Sequence, residues 1–311
     1  MSIRFGGAGA DSLPGTEGWD LLAGAGGADS LDGLAGSDAV FGGDGNDSLF
    51  GGAGDDLVSG GAGNDTVIGD AAGGGPNPAE YGDMPGRNLL LGGGGDDFIR
   101  GGYGEDTAFG GAGDDTIIGS GFGPPSPSGA EAFEQFDAAD RLCGGAGRDS
   151  IFGGGGADTI NGGSGDDTVQ GGSDLDRLTG GAGADLFLFD RESFAGTVLD
   201  SGIGPGNRDI VTDFRHAEHD VLDLSGYRSS FLPQDTPPPI FIGTEAFRVS
   251  AEDGPRMQVR YEVEGDRTIV QVYSEFNLPS PDYEPQPVPR VTVEIELLGV
   301  RGLTADDVFL G

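Results

Sequence analysis

Residues 42–50 read Gly-Gly-Asp-Gly-Asn-Asp-Ser-Leu-Phe, and residues 110–118 read Gly-Gly-Ala-Gly-Asp-Asp-Thr-Ile-Ile. Fifteen such nine-residue units align in phase over residues 6–68, 92–118 and 144–188. The eighth residue is apolar in every unit, and the sixth residue is always Asp. The fifteen aspartates are Asp11, Asp20, Asp29, Asp38, Asp47, Asp56, Asp65, Asp97, Asp106, Asp115, Asp149, Asp158, Asp167, Asp176 and Asp185.

Each unit predicts a six-residue turn followed by a three-residue strand. Glycine permits positive φ in the turn, and the apolar eighth residue can point inward from the strand. One unit cannot bury its own apolar face, so two successive units are expected to form one coil, and coils to stack with parallel strands above one another. The sequence therefore predicts an all-β protein, a right-handed parallel β-roll solenoid over residues 1–188 followed by a small β-rich domain.

Composition and charge narrow the functional classes. Of 311 residues, 65 are Gly, 53 are acidic and 16 are basic, with no Lys, so the formal net charge is -37. Such a chain repels phosphate polymers, so nucleic acid is not an expected partner. No apolar run predicts a transmembrane segment, and the first residues lack the apolar core of a Sec signal peptide. The single cysteine, Cys143, excludes an intramolecular disulfide.

Stacked turns also predict a metal-binding chemistry. The Asp of one turn should lie over the Asp eighteen residues further on, with turn carbonyls facing the same gap. Such a gap offers hard, anionic oxygen ligands, which suit Ca²⁺ and neither Zn²⁺ nor copper. Carboxylates aligned along each edge repel one another without a cation. We therefore expect the metal-free roll to be unfolded and to fold at the millimolar Ca²⁺ found outside cells.

The repeat resembles the nonapeptide of the RTX family, Gly-Gly-x-Gly-x-Asp-x-apolar-x, whose members form calcium-binding β-rolls. The resemblance implies that the Asp side chain and turn carbonyls share Ca²⁺ between alternate turns, and it assigns all fifteen aspartates as metal ligands. Unit pairs within the unbroken blocks give nine sites, or thirteen if stacking continues between the blocks. The departures from the pattern are Thr16, Trp19, Ala25, Leu34 and Asp174.

Two inserts, residues 69–91 and 119–143, interrupt the repeat. Each ends in a half-unit that restores the phase, at residues 88–91 and 140–143. We expect each insert to be a loop that bulges from one turn, because its prolines disfavour regular ladders. The sequence leaves open whether the inserts bind a partner. Apolar side chains that could pack back on the roll are Tyr81, Met84, Phe122, Phe133 and Phe136.

After residue 188 the glycine density falls, and strands are predicted at residues 210–211, 221–224, 268–273 and 291–298, with a proline-rich hairpin loop at 279–289. Residues 208–225 resemble the C-terminal domain of the serralysin metalloproteases. The resemblance implies that residues 189–311 cap the roll, and that residues 307–310 carry a signal for the type I secretion machinery, although Gly311 follows here. Two interpretations stay open for Asp209, Asp213, Asp220 and Asp223, which are either a further ion site or solvated acids.

No catalytic residue and no cofactor other than Ca²⁺ is predicted. Serralysins carry His-Glu-x-x-His, whereas the two histidines here, His216 and His219, have the wrong spacing and order for that zinc site. Without lysine there is no Walker motif, and the repeated Gly-x-Gly-x-x-Gly strings follow from the nine-residue period. A lyase, epimerase or glycosidase that used carboxylates with Tyr81, Tyr103 and Arg100 remains the enzymatic alternative.

The sequence thus predicts a secreted, extracellular calcium-binding protein that folds on Ca²⁺ after type I export. It would act as a surface or matrix component with an unidentified partner and no catalytic domain of its own. The alternative is a non-catalytic C-terminal part of, or companion to, a secreted exoenzyme such as a serralysin-type metalloprotease, a lipase or a polysaccharide-modifying enzyme.

Overall fold

The computed structural model describes residues 1–70, 86–120, 138–189, 204–227, 240–244, 257–273 and 291–310. Within these ranges the chain forms two sheets and three short 3₁₀ helices, His216–Glu218, Ser225–Tyr227 and Ala305–Asp307. The predicted all-β fold is confirmed.

The long sheet has fourteen strands, which follow one another in space as β1 (Ser2–Phe5), β3 (Asp20–Gly26), β5 (Ala39–Asp44), β7 (Leu57–Ala62), β9 (Leu89–Gly94), β11 (Thr107–Ala112), β13 (Arg141–Ala146), β15 (Thr159–Ser164), β17 (Arg177–Ala182), β19 (Asp209–Val211), β24 (Val291–Leu298), β23 (Arg267–Tyr273), β22 (Gln258–Glu264) and β21 (Ile240–Gly243). The short sheet has eleven strands, β2 (Ser12–Thr16), β4 (Ser30–Leu34), β6 (Ser48–Phe50), β8 (Thr66–Ile68), β10 (Phe98–Gly102), β12 (Thr116–Ser120), β14 (Ser150–Gly154), β16 (Thr168–Gly172), β18 (Leu186–Leu188), β20 (Val221–Asp223) and β25 (Val308–Phe309).

Consecutive strands of the repeat alternate between the two sheets, so two units make one coil. Leu31 pairs with Leu49 and Val40 pairs with Val58, in parallel register and eighteen residues apart. The predicted β-roll stacking is confirmed.

The apolar eighth residues form the core between the sheets. Fourteen of the fifteen are fully buried, for example Leu49, Ile117 and Phe187, and the remaining one, Leu13, is partly buried in the first coil. Burying a Leu or Ile side chain contributes about 2 kcal/mol. The same core continues through Val211 and Leu222 to Val308.

The two inserts leave the stacking intact. Leu57 pairs with Leu89 across the first insert, and Thr107 pairs with Arg141 across the second. The coils on either side of each insert are therefore stacked directly on one another, and the prediction that each insert bulges from one turn concerns residues 71–85 and 121–137, which lie outside the described residues. The side chains predicted to pack back on the roll, Tyr81, Met84, Phe122, Phe133 and Phe136, lie outside the described residues.

The strands predicted after residue 188 extend the same two sheets. Strand β19 pairs with β17, and β20 pairs with β18, both in parallel. Strand β24 then joins β19, and β23 pairs antiparallel with β24, as a hairpin requires. The loop at residues 279–289 itself lies outside the described residues. A separate domain at residues 189–311 stays a prediction.

Candidate functional site

Two rows of acidic turn residues run along opposite edges of the roll, where the chain enters each sheet. The long-sheet row consists of Asp20, Asp38, Asp56, Asn88, Asp106, Asp140, Asp158, Asp176 and Asp209. The short-sheet row consists of Asp11, Asp29, Asp47, Asp65, Asp97, Asp115, Asp149, Asp167, Asp185 and Asp220.

Hydrogen bonds join neighbouring members of each row. The backbone N–H of one residue donates to the side-chain Oδ1 of the next, as from Asp47 to Asp65 and from Asp97 to Asp115, both at 2.8 Å. The same bond spans the first insert from Asp65 to Asp97, also at 2.8 Å. Every carboxylate after the first of each row therefore has one oxygen fixed by the preceding coil.

The second oxygen of most of these carboxylates is buried without a hydrogen-bond partner. An unpaired buried polar group costs about 1–3 kcal/mol, and more if it is charged. The fold thus accumulates a penalty along both edges that a bound cation would remove. The Oδ2 atoms concerned belong to Asp29, Asp38, Asp47, Asp56, Asp65, Asp97, Asp115, Asp149, Asp167, Asp176 and Asp185.

Glycine at the first turn position leaves room for these oxygens. A Cβ atom on Gly42 would lie 2.2 Å from Asp47 Oδ2 and 2.6 Å from the carbonyl oxygen of Gly60 in the next coil. Such distances exclude any side chain, so glycine allows a carboxylate oxygen and a carbonyl oxygen to converge there. Carbonyl and carboxylate oxygens are the ligands that Ca²⁺ prefers.

Backbone strain marks three of the units that depart from the pattern. The second and fourth turn positions require positive φ, which suits glycine. At these positions Ala25, Leu34 and Asp174 have φ of 81°, 75° and 80°. The turn geometry is therefore kept at a conformational cost.

Burial raises the pKa of several aspartates in the two rows. Desolvation by burial, together with repulsion from neighbouring carboxylates, raises the pKa of Asp56, Asp97 and Asp167 to about 7, although a backbone hydrogen bond to each acts in the opposite direction. The same causes raise the pKa of Asp65 and Asp115 to about 6. These carboxylates favour a proton or a cation over the bare charged form.

The donor set of the rows fits Ca²⁺. It consists of carboxylate and carbonyl oxygens, without His or Cys. In the described part of the chain no three His, Cys, Asp or Glu side chains converge on one point. A bound ion would therefore take one or two carboxylates and complete its six to eight ligands from turn carbonyls and water.

The first two predicted ligands differ from the rest because they lie at the open end of the roll. Asp11 Oδ2 accepts a hydrogen bond from Gly7 N–H at 2.6 Å. Asp20 Oδ2 accepts bonds from the N–H and hydroxyl of Thr16, and its Oδ1 lies 3.7 Å from the Met1 ammonium. The protein itself thus supplies donors to both carboxylates.

Four members of the rows were not among the predicted ligands. Asn88 and Asp140 belong to the half-units that close the inserts. The residues after them, 89–91 and 141–143, have the apolar centre of a strand, and this pattern could have identified both positions. Asp209 and Asp220 are buried, so the interpretation of these two as solvated acids is wrong.

Three of the side chains weighed for catalysis, His216, Tyr103 and Arg100, lie among the described residues. His216 lies in a 3₁₀ helix, and its Nδ1 contacts Asp307 Oδ1 at 2.5 Å. Tyr103 is 8% exposed. Arg100 is half-buried, and burial lowers its pKa. Tyr81 lies outside the described residues.

Sequence comparison identifies the repeats. Residues 5–31, 14–49, 41–72, 85–122, 136–169 and 161–191 match the RTX calcium-binding nonapeptide repeat (four copies), and these segments together cover just over half of the chain. No curated protein sequence matches the chain. None of the described residues forms a helix long and apolar enough to cross a membrane.

Solved structures that match part of this chain include two subunits of the Azotobacter vinelandii mannuronan C5-epimerase. One, AlgE6R3, is 27% identical with a TM-score of 0.35, and the match covers 56% of this chain and 80% of that one. The other, AlgE6R2, is 27% identical with a TM-score of 0.33 and coverages of 56% and 88%. The extracellular lipase LipA from Serratia marcescens is 16% identical with a TM-score of 0.18, over 99% of this chain and 40% of the lipase. These matches do not confirm the resemblance of residues 189–311 to serralysins.

Proposed function

We propose that this chain, which belongs to the family of RTX calcium-binding nonapeptide repeat proteins, binds several Ca²⁺ ions along its two rows and folds when it binds them outside the cell. Its repeats are of a kind that binds calcium. The proposal concerns the ligands, the number of ions, the coupling to folding and the location. Calcium supplies positive charge between stacked turns, and the chain's own residues supply the rigid oxygen frame.

The buried Oδ2 atoms carry this proposal. Asp47, Asp97 and Asp167 each accept a backbone N–H bond at one oxygen and leave the other oxygen buried without a hydrogen-bond partner. The summed free-energy cost of many such groups in one fold exceeds the 5–15 kcal/mol by which a domain is typically stable. A fold of this kind is favourable when cations satisfy the carboxylates, and unfavourable when chelators remove them.

A matched pair of variants tests the ligand assignment. Asp97→Asn keeps the Oδ1 acceptor but removes the charge at the buried Oδ2. Asp96→Asn makes the same change at the neighbouring exposed residue, whose Oδ1 accepts from Asp114 N–H at 2.9 Å. We expect Asp97→Asn to bind fewer Ca²⁺ ions by native mass spectrometry, and Asp96→Asn to match the wild-type protein.

Circular dichroism tests the coupling to folding. The wild-type protein should gain β structure cooperatively as Ca²⁺ rises into the millimolar range, and should lose it in chelator. Equal β content in chelator and in Ca²⁺ would contradict the proposal. So would an unchanged ion count in Asp97→Asn.

Export through a type I system remains part of the proposal. The C-terminal strand β25 lies in the folded core, where Val308 pairs with Leu222 and is 7% exposed, and Leu224 N–H donates to the Phe309 carbonyl at 2.9 Å. A transporter that reads residues 307–310 would therefore have to act before this strand docks. Undiminished secretion of a chain lacking residues 307–311, in a host with the transporter, would contradict this part.

We propose no catalytic site on this chain, with the companion of a secreted exoenzyme as the alternative role. Incubation of the calcium-loaded protein with casein, lipid esters and alginate tests the absence of catalysis. Turnover that Tyr103→Phe or His216→Ala abolishes would overturn the non-catalytic assignment.

A further inference from the structure

The first insert enters its turn at the third position and leaves the other positions in place. Gly69 and Asp70 occupy positions one and two, and residues 86–88 occupy positions four to six. The stacking contacts establish this assignment. A Cβ on Gly86 would lie 1.9 Å from the carbonyl oxygen of Gly54 in the previous coil, and a Cβ on Gly104 would lie 2.0 Å from that of Gly86.

Asn88 takes the place of the sixth-position aspartate in this turn. Its Oδ1 accepts a hydrogen bond from Asp56 N–H at 3.0 Å, and its own N–H donates to Asp106 Oδ1 at 2.8 Å. The row therefore passes through Asn88 with the usual bonds. The Asp56 donor also fixes the amide orientation, because an amide oxygen accepts and an amide nitrogen does not.

With Oδ1 fixed in this way, the Asn88 amide nitrogen occupies the place of the buried Oδ2 in other turns. Asn88 Nδ2 would lie 2.6 Å from a Cβ on Gly69, beside the carbonyl oxygen of Gly101 at 2.4 Å. In the regular turn of Gly60, the corresponding atoms are Asp65 Oδ2 at 2.3 Å and a glycine carbonyl oxygen at 2.6 Å. In this turn an amide N–H donor therefore occupies the position that a carboxylate oxygen occupies in the regular turns.

A carboxylate in the same turn accepts a hydrogen bond from this amide. Asn88 Nδ2 donates to Asp70 Oδ1 at 3.2 Å, and Asp70 Oδ2 accepts from Tyr103 N–H at 3.0 Å. Asp70 and Asn88 are 5% and 3% exposed. Protein N–H groups therefore satisfy a buried charge that stands at a position usually held by glycine.

We propose that the space between Asn88, Asp70 and the Gly101 carbonyl, the Asn88 gap, takes no Ca²⁺, and that the amide-to-carboxylate hydrogen bond replaces the ion there. This inference rests on the proposed function, in which the other gaps of the rows bind calcium. An amide NH₂ offers two hydrogens and no lone pair to a cation, so it repels Ca²⁺ at the place where a ligand would be needed. The long-sheet row is then divided into two calcium-binding segments at the first insert.

Ion counting on two variants tests the Asn88 gap. Asn88→Asp places a carboxylate oxygen beside Asp70 and should bind one Ca²⁺ ion more than the wild-type protein at about 10 mM Ca²⁺ in native mass spectrometry. Asp70→Asn removes the charge that any ion in this gap would need, and should bind the wild-type number. An unchanged count in Asn88→Asp, or a count reduced by one in Asp70→Asn, would overturn the inference. If Asn88→Asp does not fold, the Asp70→Asn count decides alone.

The Asp97→Asn variant separates this inference from the proposed function. If the wild-type protein binds no Ca²⁺, or if Asp97→Asn binds as many ions as wild type, the proposed function is wrong and the inference with it. If Asp97→Asn loses ions while Asn88→Asp gains none, the rows bind calcium and the inference about the Asn88 gap alone is wrong.

Discussion

The buried carboxylates of the two rows should make calcium binding and folding depend on pH. Burial raises the pKa of Asp56, Asp97 and Asp167 to about 7, compared with about 4 in an unfolded chain. The folded metal-free protein therefore binds more protons than the unfolded chain between about pH 4 and pH 7. This contribution to stability is present in full below about pH 4 and is lost as the pH rises through about 7.

The magnitude follows from the size of the shift. Within that window each such group changes the free energy of unfolding by up to about 1.4 kcal/mol per pH unit. Calcium requires the charged carboxylate, so protons compete with it. For a site of the folded protein with one carboxylate of pKa about 7, the apparent dissociation constant should rise about tenfold for each pH unit below about 6, whereas the carboxylates of the unfolded chain, with a pKa of about 4, lose no proton when they bind calcium above that pH.

Two measurements test this coupling. Circular dichroism of metal-stripped protein should show more β structure at about pH 5 than at about pH 8. Calcium titrations at about pH 5 and pH 6, where protonation favours the folded metal-stripped protein, should give midpoints about tenfold apart. Asp97→Asn should reduce this pH dependence, whereas the exposed control Asp96→Asn should leave it unchanged. A metal-stripped protein equally unfolded at about pH 5 and about pH 8 would refute the reasoning.

Three further predictions concern the turns, the core and the C-terminal strand. Leu34→Gly should stabilise the protein by about 1 kcal/mol, because positive φ costs an L-residue about 1–2 kcal/mol and glycine adds a smaller entropy cost in the unfolded chain; thermal unfolding at fixed Ca²⁺ measures this, and a lower melting temperature would contradict it. Ile117→Ala should destabilise by about 2–5 kcal/mol, because Ile117 is fully buried between Ile99 and Ile151, whereas the outward-facing Thr116→Ala should change stability by about 0.5 kcal/mol or less. His216→Gln should speed hydrogen exchange of the Leu224 amide, which bonds to strand β25. The raised pKa of His216 and the lowered pKa of Asp307 mean that their ion pair is lost as the pH falls through the Asp307 pKa or rises through the His216 pKa. If the exchange rate of the Leu224 amide changed neither with pH nor with this substitution, the ion pair would have no role in holding strand β25 in place.

The period of the sequence was enough to predict the register of the roll. An Asp at every sixth position and an apolar residue at every eighth position place Leu31 beneath Leu49, and the structure confirms that pairing. The prediction missed Asn88 and Asp140 because a unit was recognised by its glycine pair, and in these two turns Asp70 and Ser120 replace the second glycine before the insert begins. Each is nevertheless followed by a strand with an apolar centre, Leu90 or Leu142, that is buried like the others.

Other features depend on contacts that no local pattern encodes. Strands after residue 188 were predicted, but their place in the two sheets follows from pairings between distant residues, such as Ile210 with Glu296. The role of Asp70 has the same origin. Its partners are Asn88, on the far side of an insert, and Tyr103, one coil further on.

The two edges of the roll carry different constraints. On the edge where the chain enters the short sheet, the turns before strands β4 to β18 are all uninterrupted six-residue turns, with Oδ2 atoms buried from Asp29 to Asp185. On the opposite edge, the connections β8 to β9, β12 to β13 and β18 to β19 are long. The third turn position tolerates an insert because positions one, two and four to six hold the contacts between coils, as Gly69 and Gly86 show. The edge with inserts is also the edge where Asn88 replaces a carboxylate. Under the proposed function, the short-sheet row is therefore the one in which every turn from Asp29 to Asp185 keeps the complete oxygen frame, while the long-sheet row accommodates the inserts.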